Sequence, residues 1–127
     1  MKCSVGLAVL VALALGSIGV GRSVAQAPSE SCLHGSDETP EQRNRRSLAL
    51  RFTRHINTLQ ASAFPPNNAY QPAERLTITE SLPSGFNLRM SVSGRSYAFS
   101  VVDSSDPCRF GYFSDEVGII FRGEALR

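Results

Sequence analysis

The sequence predicts a two-layer α+β domain, in which one long N-terminal helix packs on an antiparallel β-meander of three to five strands. Two patterns predict it. Apolar residues recur at helical spacing before Pro65 and Pro66, and from Leu76 onward the apolar period changes to two. A length of 127 residues with 42% hydrophobic content fits one globular domain and is too short for two ordinary ones.

The first 25 residues have the features of a secretory signal peptide. The apolar run Val5–Val20 follows a lysine at the second position, and small residues then favour cleavage after Ala25, with Ala27 as the alternative. An uncleaved membrane anchor is the competing interpretation, but the apolar run is shorter than the roughly 20 residues that a bilayer core requires. We therefore expect a secreted or periplasmic protein without a stable membrane span.

Removal of this leader would make the chain electrically neutral. The sequence has 13 Lys and Arg against 11 Asp and Glu, and cleavage removes Lys2 and Arg22, which leaves 11 of each. A neutral chain has no general electrostatic attraction to nucleic acid, to a membrane surface or to an acidic substrate. Nucleic acid is therefore not an expected partner.

The cysteines predict a disulfide. Cys3 lies in the leader, so the exported chain would keep Cys32 and Cys108, an even pair in an oxidising compartment. Their bond would close a loop of about 75 residues, worth roughly 4 kcal/mol in the chain-entropy model. The alternative for Cys108 is a catalytic thiol, which needs a nearby base. We favour the disulfide because His34 and His55 share no local motif with Cys108.

The segment before the helix is interpreted as a flexible tether. Residues 26–38 have no apolar period and contain proline, glycine and several serines. This tether carries Cys32, and the folded domain is assigned to residues 39–127.

The helix is predicted to begin at a capping box and to end at two prolines. Thr39, Pro40 and Gln42 fit an N-cap, a proline at the first helical position and the reciprocal capping partner. Pro65 and Pro66 are expected to end the helix, since neither can continue it. The apolar stripe that should face the sheet consists of Leu48, Phe52, Ile56, Leu59 and Ala63.

The remainder of the chain has the pattern of a meander. The segment "FNLRMSV" alternates apolar and polar residues most regularly, and the turn "SGR" joins it to "SYAFSVV" as a hairpin. Turn residues separate the other apolar runs. The predicted strand segments are residues 76–82, 86–92, 96–102, 109–113 and 119–121.

The order of these parts resembles the globular head of a type IV pilin or pseudopilin. The stretches that carry the resemblance are "INTLQASAF", "NNAYQPAERL", "LPSGF", "SYAFSVVD" and "PCRFGYFSDEVGII". The resemblance implies a helix packed on an antiparallel meander, a structural or binding role in the cell envelope, and another envelope or pilus-type protein as partner. The family's usual leader and polymerising helix are not matched, so it implies a head without its stalk.

The arginines of the helix form a candidate binding face. Arg43, Arg46 and Arg54 share one side, which a DNA-binding minor-pilin-like protein would plausibly use. We favour a solvated surface for this face because the exported chain would be neutral. Arg45 lies nearer the apolar stripe and is expected to pair with an acid or to lie along the edge of the core.

Acidic residues in two turns form a candidate metal site. Asp103, Asp106, Asp115 and Glu116 offer the oxygen ligands that calcium requires. Their spacing matches no EF-hand loop, and Asp is an ordinary turn former, so we favour solvated turns and expect no cofactor.

No catalytic residue is predicted. The segment "GRSYA" ends in alanine where a nucleophile elbow has glycine. A non-catalytic role is therefore expected, with a small secreted enzyme or enzyme inhibitor as the alternative. A deep pocket that joined His34 or His55 to Asp103, Asp115 or Cys108 would favour the enzyme, whereas an uncovered apolar sheet face would favour binding.

Overall fold

The structure is a computed structural model that describes residues 31–124. The predicted signal peptide and the beginning of the predicted tether lie outside the described residues. The elements in chain order are helix α1 (Pro40–Asn67), a 3₁₀ turn (Ala73–Arg75), and strands β1 (Phe86–Ser93), β2 (Ser96–Asp103), β3 (Gly111–Asp115) and β4 (Phe121–Gly123). Within residues 31–124, no helix combines the length and apolar character needed to cross a bilayer.

Helix α1 begins where the capping box predicts. The Thr39 hydroxyl accepts a hydrogen bond from Gln42 N at 3.2 Å, and the Gln42 side-chain oxygen accepts one from Thr39 N at 2.8 Å. Each side chain satisfies a backbone N–H that the helix itself leaves without a partner.

The predicted end of the helix is wrong, because α1 continues through Pro65 and Pro66 to Asn67. Both prolines lie in the last turn. Proline has no backbone N–H, so the two helical hydrogen bonds that they cannot donate are lost only at the end of the helix. The Asn67 side chain donates to Ala63 O at 2.8 Å. Asn68 then ends the helix in the left-handed region at φ 48°, a conformation that asparagine tolerates.

The face that α1 buries is rotated by about one position from the predicted stripe. Phe52 and Ile56 are buried as predicted, but Leu48, Leu59 and Ala63 are only half-buried. The residues that α1 buries are Ala49, Phe52, Thr53, Ile56 and Gln60. Polar residues are tolerated here because each has a hydrogen-bond partner.

The four strands form one antiparallel sheet in the order β1-β2-β3-β4, as a meander predicts. The register pairs Leu88 with Val101 across β1 and β2, and Val101 with Tyr112 across β2 and β3. Directly opposed residues share a face, so the alternation read from the sequence places these side chains together.

The predicted strand at residues 76–82 does not form. Leu76 N bonds Ala73 O at 3.2 Å and Ile78 N bonds Leu76 O at 2.9 Å, so these backbone groups close local turns instead of joining a strand. The apolar residues of this segment still pack against the core. The alternation of apolar and polar residues in this segment therefore indicates which side chains are buried, but it does not indicate a β-strand.

The core lies between α1 and one face of the sheet. Ile56 of the helix and Val101 of β2 are fully buried there. The other face of the sheet carries residues of the opposite parity, among them Arg89, Ser100, Phe113 and Phe121, which we call the open face. Phe113 and Phe121 retain 41% and 56% exposure on it.

Candidate functional site

The predicted disulfide joins the beginning of the described chain to the loop between β2 and β3. Cys32 and Cys108 are bonded, with their Cα atoms 5.2 Å apart and a sequence separation of 76. Residues 31–38, which we call the strap, belong to the segment interpreted as a flexible tether. In the structure the strap lies against the domain, and His34 within it is 6% exposed.

Asp106 secures both sides of this disulfide. Its carboxylate is 1% exposed and accepts hydrogen bonds from the backbone N–H groups of Leu33 and Cys108 at 3.0 Å and of Phe110 at 3.3 Å. The carboxylate lies within 4.8 Å of the sulfurs of Cys32 and Cys108, a grouping that could otherwise hold a metal. Because the sulfurs are bonded to each other and the carboxylate is saturated by N–H donors, this arrangement is structural.

A chain of charged side chains lies beside the strap, and we call it the charge network. His34 Nδ1 is 2.7 Å from Glu38 Oε1, and His34 Nε2 is 2.9 Å from Asp103 Oδ2. Arg46 forms two hydrogen bonds to Glu38 at 2.8 and 2.9 Å. Arg45 contacts Asp103 at 3.1 Å, which confirms the prediction that Arg45 pairs with an acid. The order of groups is Arg46, Glu38, His34, Asp103 and Arg45.

Local geometry brings Arg45 into this network. Its guanidinium also donates to Ser84 O at 2.8 Å and lies 5.5 Å from the centroid of the Phe86 ring. Gly85, at φ 86°, lies directly under it, and a Cβ there would be 2.6 Å from the Arg45 Nη2 atom. Only glycine suits this backbone conformation and this close approach.

The two carboxylates of the network are held in the ionised form. Hydrogen bonding from Arg46, assisted by His34, outweighs the effect of burial and lowers the pKa of Glu38 to about 2. Burial opposes ionisation of Asp103, but hydrogen bonds from Ser105 and His34 and the charge of Arg45 outweigh it and lower the pKa of that carboxyl. The hydrogen bond to Glu38 in turn raises the pKa of the Arg46 guanidinium.

The groups of the charge network are engaged with one another. Both ring nitrogens of His34 lie within hydrogen-bonding distance of a carboxylate, Nδ1 of Glu38 and Nε2 of Asp103. The His34 side chain is 1% exposed, so almost none of the ring is in contact with solvent.

A surface cavity of about 560 Å³ lies along the strap and is lined by His34 and Cys108 among others. A histidine and a cysteine, the residue types of a thiol-based catalytic site, therefore lie close together in this cavity. Cys108 is oxidised in the disulfide, and both nitrogens of His34 contact carboxylates. Cys108 therefore presents no free thiol to this cavity.

The four acids considered as calcium ligands do not meet. Asp103 ends β2, whereas Asp115 pairs with Ala98 near the start of β2, so five residues of extended strand, or roughly 16 Å, separate them. Asp115 caps the turn by accepting from Val117 N at 3.0 Å. Glu116 accepts from the backbone of Tyr97 at 3.4 Å.

The helix arginines considered as a binding face are divided between different environments. Arg46 is bound to Glu38, and Arg43 lies 3.9 Å from the same carboxylate. Arg54 is exposed two turns further along α1. The positive charge of this face is therefore partly neutralised by the strap.

The large apolar side chains that β3 and β4 expose to solvent lie on the open face. Phe113 and Phe121 are directly opposed across these strands. The exposed large hydrophobic residues of the described chain are Phe113, Val117, Ile119 and Phe121, all within the β3–β4 hairpin. An apolar patch concentrated on one hairpin is typical of an interaction surface.

Sequence reasoning missed both the charge network and the open face. His34 and Glu38 were placed in a tether, although their spacing of four and the disulfide predicted at Cys32 pointed to a fixed segment. Phe113 was missed because Phe110 and Tyr112 point to the core, so aromatic residues lie on both faces of this run and alternation is lost.

Comparison with known proteins gives no relative: no family model, no curated protein and no solved structure matches this chain.

Proposed function

We propose that this protein is a non-catalytic, secreted or periplasmic pilin-like domain with a structural or binding role in the cell envelope. The observation that carries the proposal is the open face, where the cross-strand pair Phe113 and Phe121 is exposed on the side of the sheet away from α1. Aromatic side chains dominate the energetics of protein interfaces, and a partner would remove these rings from water.

The two-layer arrangement of one long helix on a four-stranded antiparallel meander supports the pilin-like part of the proposal. The Cys32–Cys108 disulfide supports an oxidising compartment, because such bonds persist mainly in exported proteins. A partner of envelope or pilus type is consistent with both.

The chemistry of the charge network favours binding over catalysis. Its histidine, its carboxylates and its arginines are bound to one another, and the cysteine beside it is oxidised. The helix arginines do not favour DNA binding either, since Glu38 neutralises part of their charge.

Site-specific photo-crosslinking tests the proposal. A photo-reactive amino acid at position 121 of the open face should give one discrete crosslinked species in cells that naturally make the protein. The same amino acid at Arg54, exposed on α1, is the matched control and should give none. Equal crosslinking from the two positions, or none from position 121, would contradict a binding role for the open face.

A further inference from the structure

The arginines beside the open face indicate what kind of partner it accepts. We propose that the open face binds an extended polypeptide segment in which an acidic side chain lies next to an apolar one. This inference rests on the binding role proposed above and adds the chemical class of the ligand.

The first half of the site is a basic cleft. A cavity of about 330 Å³ is lined by Arg89 of β1 and Arg109 of the β2–β3 loop, together with Ser100 and Phe113. Both arginines are exposed, and within residues 31–124 neither forms a salt bridge. Two guanidinium groups in one cleft, both without an acidic partner, are complementary to a carboxylate.

The second half is an apolar groove. Its volume is about 500 Å³, and its lining includes Ala98, Phe113 and Phe121. Arg89, Ser100 and Phe113 also line the basic cleft, so the two cavities adjoin. A ligand that places an acidic and an apolar group on neighbouring positions can fill both.

Phe113, which stands between the two cavities, is held by its neighbour on β4. A Cβ on Gly123 would lie 2.4 Å from Cε2 of the Phe113 ring and 3.3 Å from its Cδ2 and Cζ atoms. The edge of the ring therefore rests over the glycine backbone. A ring fixed before binding loses less conformational entropy when the ligand arrives.

These observations favour a polypeptide over single-stranded nucleic acid. A nucleic acid needs a continuous positive groove along its phosphates, but the only arginine that lines the apolar groove is Arg89, which also lines the basic cleft, and the lining includes Asp115. Aromatic residues combined with arginine are, in contrast, the composition enriched at protein interfaces.

Binding of defined peptides tests this assignment on the full exported chain. The probe is a short fluorescein-labelled peptide that alternates glutamate with leucine and phenylalanine, and its control replaces every glutamate with lysine. We expect the glutamate peptide to bind about tenfold more tightly than the lysine peptide, a difference of about 1.4 kcal/mol. The double variant Arg89→Glu/Arg109→Glu should lose about tenfold in affinity for the glutamate peptide, because carboxylates would then face carboxylates.

The matched control is Arg54→Glu, which reverses an exposed charge on α1 and should leave the affinity unchanged. All variants should keep the wild-type melting temperature, since none of these arginines forms an ion pair with another described residue. Equal affinity for the two peptides, or an unchanged affinity in the double variant, would overturn the inference.

Other outcomes separate this inference from the proposed function. If Phe121→Ser abolishes peptide binding while the arginine variants do not, the open face still binds a partner but the acidic ligand class is wrong. If a single-stranded oligonucleotide binds more tightly than the glutamate peptide and the double variant abolishes it, the polypeptide assignment is overturned in favour of nucleic acid.

Discussion

At the scale of single residues, the charge network shows how a small domain accommodates buried charge. His34, Glu38 and Asp103 have side chains that are at most 4% exposed, and each contacts another ionisable side chain of the network. Among the described residues, no buried side-chain polar atom is without a hydrogen bond. Since a buried charge is tolerated only when paired, removal of one member should disturb the others.

Replacement of Glu38 by glutamine tests this dependence. Glu38→Gln keeps the size of the side chain but leaves Arg46 and His34 without their shared carboxylate. We expect the free energy of unfolding at neutral pH to fall by about 3 kcal/mol, as for other broken buried pairs. Chemical denaturation measures the change, and Glu74→Gln at an exposed position should alter it by no more than about 0.5 kcal/mol.

The same carboxylates predict how stability depends on pH. The pKa of Glu38 is lowered from 4.5 to about 2, and that of Asp103 is also lowered, so both contribute stability above their ordinary pKa values. This contribution should be lost as the pH falls from about 4.5 towards 2. Chemical denaturation across this pH range should show a smaller decrease in the free energy of unfolding for Glu38→Gln than for the wild type. Parallel profiles for the two proteins would exclude Glu38 as the source of the pH dependence.

At the scale of elements, the buried face of α1 depends on a polar residue. Gln60 is fully buried, and its side chain donates to Gln71 O at 2.6 Å and accepts from Gln71 N at 3.0 Å. These bonds hold the connector that follows the helix against α1. The polar residue Gln60 is therefore buried at the point of the helix where hydrophobic periodicity predicts burial of Leu59.

A more apolar side chain at this position should destabilise the protein. Gln60→Leu would leave the backbone N–H and C=O of Gln71 without these partners. Each unsatisfied group is expected to lower the free energy of unfolding by about 1–3 kcal/mol. Gln71→Ala is the matched control, because it keeps both backbone groups and should change the free energy of unfolding far less. Thermal denaturation of the two variants distinguishes them, and a Gln60→Leu protein as stable as the wild type would contradict this role.

At the scale of the whole molecule, the disulfide fixes the strap to the sheet across most of the described chain. Loss of the bond should release the strap and its two members of the charge network, His34 and Glu38. The decreases in the free energy of unfolding caused by loss of the disulfide and by disruption of the charge network are therefore expected to be non-additive.

Substitution of one cysteine measures the contribution of the bond. Cys108→Ser should lower the free energy of unfolding by roughly 4 kcal/mol, the loop-closure value for a bridge of this span. Reduction of the wild type should produce a similar loss, and a reductant should have no further effect on the variant. Loss of a turnover activity with the fold intact would instead indicate a catalytic thiol.

Export is predicted from the sequence, and the N-terminus of the protein from its native cells tests it. If the leader is cleaved after Ala25, N-terminal sequencing of the protein from its native cells should begin at Gln26. A first residue of Pro28 would indicate the alternative site after Ala27, and a retained Met1 would contradict a cleaved signal peptide.

The sequence alone predicted the class of fold because its signals are local. A capping box needs only Thr39 and Gln42, and strands β1 and β2 follow from alternation within each run and from the turn between them. The disulfide also followed from the sequence, since only two cysteines lie beyond the predicted leader.

Only the tertiary structure decided which residues form the sites. His34 meets Asp103 across 69 residues, and Arg89 of β1 and Arg109 of the β2–β3 loop line one cleft. Such contacts depend on the register and the relative position of elements, which no local pattern encodes. For the same reason the sequence determined that the chain forms a helix and a meander, and the packing determined which sheet face stays open.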